Sequence, residues 1–75
     1  MKTPADNKYL LKFGKNLKRI RNGKKISQRK LAAKSKIDDS KISKIEKGQI
    51  NITFTTVLAL AKGLEVPPLN LLDYP

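Results

Sequence analysis

The segment from Ser27 to Gly48 has the sequence SQRKLAAKSKIDDSKISKIEKG and contains two short helical patterns a few residues apart. In the second pattern Ile42 and Ile45 share one side, whereas the outer side carries only small polar and basic residues. This arrangement lets one helix enter a DNA groove while its neighbour braces it against the duplex backbone. The segment therefore predicts the central part of a small DNA-binding domain.

The charge of the chain is concentrated around the same segment. Residues 12–47 contain fourteen Lys and Arg against three acidic residues, and this excess equals the whole net charge of +11. The charges outside this range cancel one another. A positive charge this localised predicts a polyanionic partner, with double-stranded DNA the leading candidate.

The composition excludes several classes of function. The chain of 75 residues forms one small domain and has no Cys and no His, so thiolate-bound zinc and the most common general base are absent. No nucleophile–base pair can be assembled, and we expect neither an enzyme nor a metal or cofactor site. No ligand pocket is evident in so small a core. No apolar run is long enough to span a bilayer and there is no secretory signal, which predicts a cytoplasmic protein.

Helical periodicity divides the chain into an arm and five short helices, an all-α fold. Residues 1–9 lack periodicity and predict a flexible N-terminal arm, and residues 10–75 form the domain. The first helix begins near Leu10 and ends around Asn22–Lys25. Three residues are predicted to cap the next three helices, namely Ser27, Asp38 and Thr53. Pro68 suits the first position of a short final helix.

The fourth helix and the C-terminal segment supply the apolar surface. Five residues form the predicted inward face of the fourth helix: Phe54, Val57, Leu58, Ala61 and Leu64. Leu60 falls to one side of this stripe. It belongs to a set of apolar residues predicted to form a two-fold dimer interface, namely Leu60, Val66, Leu69, Leu72 and Tyr74. Packing of the tail over the first helix is the alternative explanation.

The chain resembles the lambda-repressor-like helix-turn-helix family, of the Xre/Cro type. The resemblance covers about residues 12–72 and depends on the order and spacing of its elements: Arg21, Ser27-Gln28, Leu31-Ala32, Ile42, Ile45-Glu46, Gly48, and Leu58 through Leu64. It implies a compact five-helix domain in which the second and third helices form the helix-turn-helix and the third is the recognition helix.

The resemblance also implies roles for individual residues. The residues expected to contact base edges are Asp39, Ser40, Lys41, Ser43 and Lys44. Those expected to bind phosphates are Gln28, Lys36, Lys47, Asn51 and Thr53. Arg21 and Glu46 are expected to form a structural ion pair between the first and third helices.

Two departures from the family pattern affect these roles. Relatives usually have Gly where this chain has Lys25 and Lys36, and a left-handed lysine costs about 1 kcal/mol, so both turns should survive. Asp38 and Asp39 put negative charge where phosphates should be close. Asp39 either accepts a hydrogen bond from a cytosine amino group or disfavours wrong sequences.

These features predict a sequence-specific transcriptional regulator, a repressor that binds a pseudo-palindromic operator as a homodimer. A phage-type regulator, a controller of a restriction–modification operon and an antitoxin all fit a bacterial or phage-encoded domain of this size. A protein–protein adaptor is the alternative from another class. A membrane-surface peptide would suit the basic first helix, but the polar outer side of the third helix argues against it.

Overall fold

The computed structural model describes residues 4–73, with side chains from residue 8 onward, and contains five helices within that range. They are α1 (Pro4–Gly23), α2 (Gln28–Ser35), α3 (Asp39–Glu46), α4 (Phe54–Leu64) and α5 (Pro68–Leu72). None of the described residues forms a strand. The predicted all-α architecture is confirmed.

The first helix begins earlier than its periodicity indicates. It starts at Pro4, so residues 4–9, which were predicted to be an arm, are helical. Proline is favoured at the first position of a helix because that position needs no N–H donor. A terminal turn needs no apolar stripe when the rest of the helix is packed, which explains the discrepancy. Residues 1–3 of the predicted arm lie outside the described residues.

The three predicted helix caps are confirmed by their hydrogen bonds. Ser27 Oγ accepts from Lys30 N at 3.0 Å, and an Asp38 carboxylate oxygen accepts from Ser40 N at 3.1 Å. Thr53 Oγ1 accepts from Thr56 N at 3.2 Å. Each cap supplies a partner for one of the unpaired N–H groups at a helix start.

The two lysines in glycine-like positions adopt the left-handed conformation. Lys25 has φ 59° and Lys36 has φ 61°. Lys36 ends α2, and its N–H donates to Ala32 O at 2.8 Å, which closes the turn before α3. The helix-turn-helix therefore keeps its geometry without either glycine.

The hydrophobic core contains residues of all five helices, including Leu71 of α5. It corrects the predicted face of α4. Leu60 is 0% exposed, so it packs in the core and is not available to a dimer interface. Phe54 and Leu58, which were predicted to be core residues, are 68% and 40% exposed. The buried face is turned toward Leu60 because α4 packs against both α2 and α5, and a sequence stripe does not show on which side the neighbours lie.

A glycine allows α1 and α3 to approach closely. A Cβ at Gly14 would lie 2.4 Å from Ile45 O and 2.6 Å from Glu46 O, so only glycine fits there. This role of Gly14 was not predicted from the sequence. The available signal was a glycine inside a helix, which costs about 1 kcal/mol relative to alanine and indicates a packing reason.

Candidate nucleic-acid interface

The outer side of α3 carries a continuous polar and basic face. Ile42 and Ile45 are buried on the opposite side. The five predicted base-contacting residues all lie on α3: Asp39, Ser40, Lys41 and Lys44 are exposed and Ser43 is half-buried. Ser40 and Lys44 are four residues apart and therefore share the face that points away from the core. The structure thus brings together the residues that were predicted to enter a groove.

The start of α3 is organised around Asp38. Its carboxylate accepts hydrogen bonds from both the hydroxyl and the backbone N–H of Ser40. The hydroxyl bond, followed by the backbone bond, lowers the pKa of Asp38 below its ordinary value, and the charge of Lys44 contributes in the same direction. Because the Ser40 hydroxyl donates to Asp38, it has only lone pairs to offer a base edge.

The predicted ion pair joins α1 to α3. Arg21 Nε donates to Glu46 Oε2 at 2.7 Å, and Arg21 Nη2 donates to Glu46 Oε1 at 3.1 Å. Both residues are buried, and Arg21 Nη1 also donates to Ile26 O at 2.9 Å. The guanidinium therefore holds the turn before α2 as well as the end of α3.

Gln28 extends this network to the first residue of α2. Its Nε2 donates to Glu46 Oε1 at 2.9 Å, and the residue is half-buried. An amide nitrogen carries two hydrogens, so one donor remains for another acceptor. Glu46 thus fixes Gln28 at a helix N-terminus, where the backbone N–H groups and the helix dipole favour an anion.

The other predicted phosphate contacts surround α3. Lys36 and Lys47 are exposed and lie just before and just after the helix, where Lys47 forms its C-cap. Asn51 is exposed in the following loop. Thr53 is also exposed, and its hydroxyl oxygen caps α4.

Few of the basic side chains are neutralised within the molecule. Residues 8–73 contain two ion pairs, the buried pair of Arg21 with Glu46 and an exposed pair of Lys34 with Glu65. Lys34 Nζ, which donates to Glu65 at 2.8 Å, lowers the pKa of that carboxyl below its ordinary value. The surface that remains is strongly positive, which attracts a polyanion over a distance of about 10 Å at moderate salt.

The residues predicted to form the dimer interface are separated by the fold. Leu60 is buried, Val66 is half-buried, and Tyr74 lies outside the described residues. Leu69 and Leu72 are 75% and 46% exposed, and they line a shallow depression on α5 together with Asn70 and Asp73.

A buried asparagine near this surface was not predicted from the sequence. Asn16 is buried in α1, and its Nδ2 donates to Asn70 O and Leu71 O, both at 2.9 Å. The available signal was an amide between Phe13 and Ile20 on the inward side of an amphipathic helix, since a buried amide needs partners there.

No group of three or more acidic side chains close enough to hold a metal ion occurs among the described residues. Within the same range, every helix is too short or too polar to cross a membrane.

Comparisons with known proteins agree with this geometry. A family model described as helix-turn-helix matches residues 17–71. Control protein C.BamHI of Bacillus amyloliquefaciens is 36% identical over 69 residues, which covers 91% of this chain and 85% of that protein.

Solved structures show the same similarity. The restriction-modification controller protein C.AhdI from Aeromonas hydrophila superimposes with a TM-score of 0.81 at 39% identity, covering 83% of this chain and 94% of that one. The wild-type restriction-modification controller protein C.Esp1396I gives a TM-score of 0.80 at 36% identity, covering 85% of this chain and 83% of that one.

Proposed function

We propose that this chain, which belongs to the helix-turn-helix family, is the controller protein of a restriction–modification system. It is a DNA-binding transcriptional regulator and not an enzyme. The similarity to C.BamHI, C.AhdI and C.Esp1396I supports the controller role over a phage-type regulator. The antitoxin and adaptor alternatives have no feature of the described residues in their favour. Because its target is the DNA of a bacterial cell, we place the protein in the cytoplasm.

The single observation that carries the proposal is the exposed polar face of α3. The recognition helix enters the major groove with Ser40 and Lys44 foremost, while Asp39, Lys41 and Ser43 lie along its flanks. Lysine recognises guanine O6 and N7, serine contacts several bases, and aspartate accepts from cytosine N4. These contacts discriminate between sequences.

Phosphate contacts on both sides of α3 set its register in the groove. Gln28 binds one phosphate through its second amide hydrogen and the N-terminus of α2. Lys36, Lys47, Asn51 and Thr53 bind the backbone around α3. If a dimer neutralises about 6–10 phosphates, its affinity falls by about 10³–10⁵ between 50 and 200 mM salt.

The protein binds a pseudo-palindromic operator as a homodimer. The longest dimension of one copy is 31 Å, whereas half-sites one helical turn apart are separated by about 34 Å. A second copy is therefore needed to place a second recognition helix, and two linked contacts multiply affinity and specificity. The protein acts by occupying the operator, which represses transcription where the operator overlaps a promoter.

We assign the dimer interface to an apolar edge formed by Phe54, Leu58, Leu69 and Leu72, all of them exposed. Gly63 faces Leu31 and Ser35 of α2, whereas Phe54 and Leu58 lie on the opposite side of α4, and α4 also packs against α5. The four residues are apolar, in a protein whose surface is otherwise strongly basic, and Asp73 is the charged residue that lines the depression beside Leu69 and Leu72. A second copy of the same apolar edge covers these four side chains.

Selection of bound duplexes from a random pool tests the proposal. We expect recovery of one sequence with two inverted half-sites, at centres about 34 Å apart or a multiple of that distance. Recovery of a single half-site without symmetry would overturn the homodimer. Binding without any sequence preference at physiological salt would overturn the proposed regulator. The same selection with a Lys44→Ala variant tests the base contacts, since this variant should recover the same half-sites with a weaker preference at one position.

A further inference from the structure

We infer that Asn16 is a positioning residue that sets the orientation of α5 and thereby the spacing of the two recognition helices in the dimer. The inference depends on the proposed homodimer, in which α5 contributes Leu69 and Leu72 to the interface. It concerns a side chain of α1 that touches neither DNA nor the second copy.

The final helix cannot hold its own orientation. It has five residues, and Pro67 at its N-cap makes no side-chain cap bond. A helix of this length is not stable by itself in water, because it makes too few internal hydrogen bonds to offset chain entropy. Its orientation must therefore come from contacts with the rest of the molecule.

The final helix packs against α1 and α4, and Leu71, which is 0% exposed, anchors it in the core. Apolar packing alone fixes the orientation of so short a helix poorly, because packing forces have little directional preference. Asn16 supplies directional contacts, since its Nδ2 donates to Asn70 O and Leu71 O, two carbonyls at the end of α5 that lack helical partners.

The amide of Asn16 is itself fixed in orientation. Its Oδ1 accepts hydrogen bonds from Nε and Nη2 of Arg19, one turn further along α1. Because the oxygen is turned toward the guanidinium, the nitrogen is turned toward α5. A chain of directional bonds thus runs from Arg19 through Asn16 to the helix that carries Leu69 and Leu72.

The consequence concerns the dimer and not the fold. These bonds join α1 to α5, whereas the helix-turn-helix is formed by α2 and α3. A change at Asn16 should leave the contact of one copy with one half-site intact. It should alter how two copies are placed relative to each other, and therefore which half-site spacing they accept.

The decisive variant is Asn16→Asp. It keeps the size of the side chain and the acceptor for Arg19, but it replaces the donor with an oxygen that repels both carbonyls. The matched control is Asn22→Asp, which introduces the same charge at an exposed position of α1. A second variant, Asn16→Ser, removes the reach to α5 without adding a charge.

Three measurements are made on each full-length chain: the dimer dissociation constant by sedimentation, the affinity for a duplex with one half-site, and the affinity for duplexes whose half-site spacing varies. For both Asn16 variants we expect the dimer dissociation constant to rise by up to about tenfold, because association must then supply the ordering of α5 that the two intramolecular hydrogen bonds supplied. We also expect unchanged half-site affinity and a broadened preference for spacing. Asn22→Asp should dimerise as the wild type does and keep its spacing preference.

Wild-type spacing preference and dimerisation in both Asn16 variants would overturn the inference, and so would an equal loss of half-site affinity, which would indicate unfolding. Failure of the wild type to dimerise would instead overturn the proposed homodimer, so the two failures can be told apart.

Discussion

The half of the molecule formed by α1 to α3 and the half formed by α4 and α5 share one apolar core but differ in where their buried directional bonds lie. In the first half, a buried carboxylate accepts bonds from Arg21 and Gln28, and two carbonyls of α3 lie against Gly14. In the second, leucines and alanines pack in the core and Asn16 supplies the directional bonds to α5. The difference teaches that directional bonds occur where an element must be aimed, whereas apolar packing suffices where surface only has to be buried.

The network around Glu46 should be the most sensitive point of the molecule. Glu46→Ala leaves Arg21 as a buried charge without its partner, and we expect the free energy of unfolding to fall by about 3–5 kcal/mol in urea titrations. Lys34→Ala removes a member of the exposed ion pair and should change the free energy of unfolding little. Similar losses in both variants would remove the contrast between buried and exposed charge.

The close approach of α1 to α3 gives the next largest effect. Gly14→Ala places a methyl group against two backbone carbonyls, and we expect a loss of about 1–3 kcal/mol or more in unfolding free energy. Gly23→Ala is the control, because nothing lies within 4 Å of a Cβ there. It should be neutral or slightly stabilising. A Gly14→Ala protein as stable as the wild type would show that α3 is held less tightly than its contacts indicate.

The outer side of α3 should separate base contacts from phosphate contacts. Lys44→Ala should weaken discrimination at one operator position by about 1–3 kcal/mol, whereas Lys47→Ala should weaken binding to all sequences alike and reduce its salt dependence. Titrations of operator and random duplexes at several salt concentrations measure both. Equal losses on operator and random DNA for both variants would contradict this division of roles.

Lowering the pH should weaken the cap of α3, and the loss of stability should be smaller than in the variants above. Hydrogen bonds from Ser40 lower the folded pKa of Asp38 below 3.8, its ordinary value. The charged cap is therefore fully present above pH 3.8 and is lost as the pH falls through the lower folded value. We expect Asp38→Asn to be less stable than the wild type at neutral pH and the difference to shrink below pH 3.8. A constant difference across this range would show that the charge of Asp38 does not contribute.

Much of the fold was predictable from short-range patterns. Ser27, Asp38 and Thr53 were recognisable as caps because a cap acts within three residues of its own position. The ion pair of Arg21 with Glu46 followed from the resemblance, and the structure forms it. The start of α1 was missed because the first turns of a helix need no apolar stripe.

The candidate site was predictable in composition but not in its internal bonds. Ser40 and Lys44 were placed on the outer face correctly, because helical periodicity fixes which residues share a side. The bond from Gln28 to Glu46 and the one from Ser40 to Asp38 could not be anticipated, since each side chain has several partners within reach and packing selects one.

Local chemistry alone therefore determined the five helices, their caps and the position of the positive charge. Only the tertiary structure decided that Leu60 is buried while Phe54 is exposed, that α3 lies against Gly14, and that Asn16 holds α5. The physical reason is the separation along the chain over which each interaction acts. Caps and periodicity act between residues a few positions apart, whereas burial and buried hydrogen bonds depend on which distant segments meet.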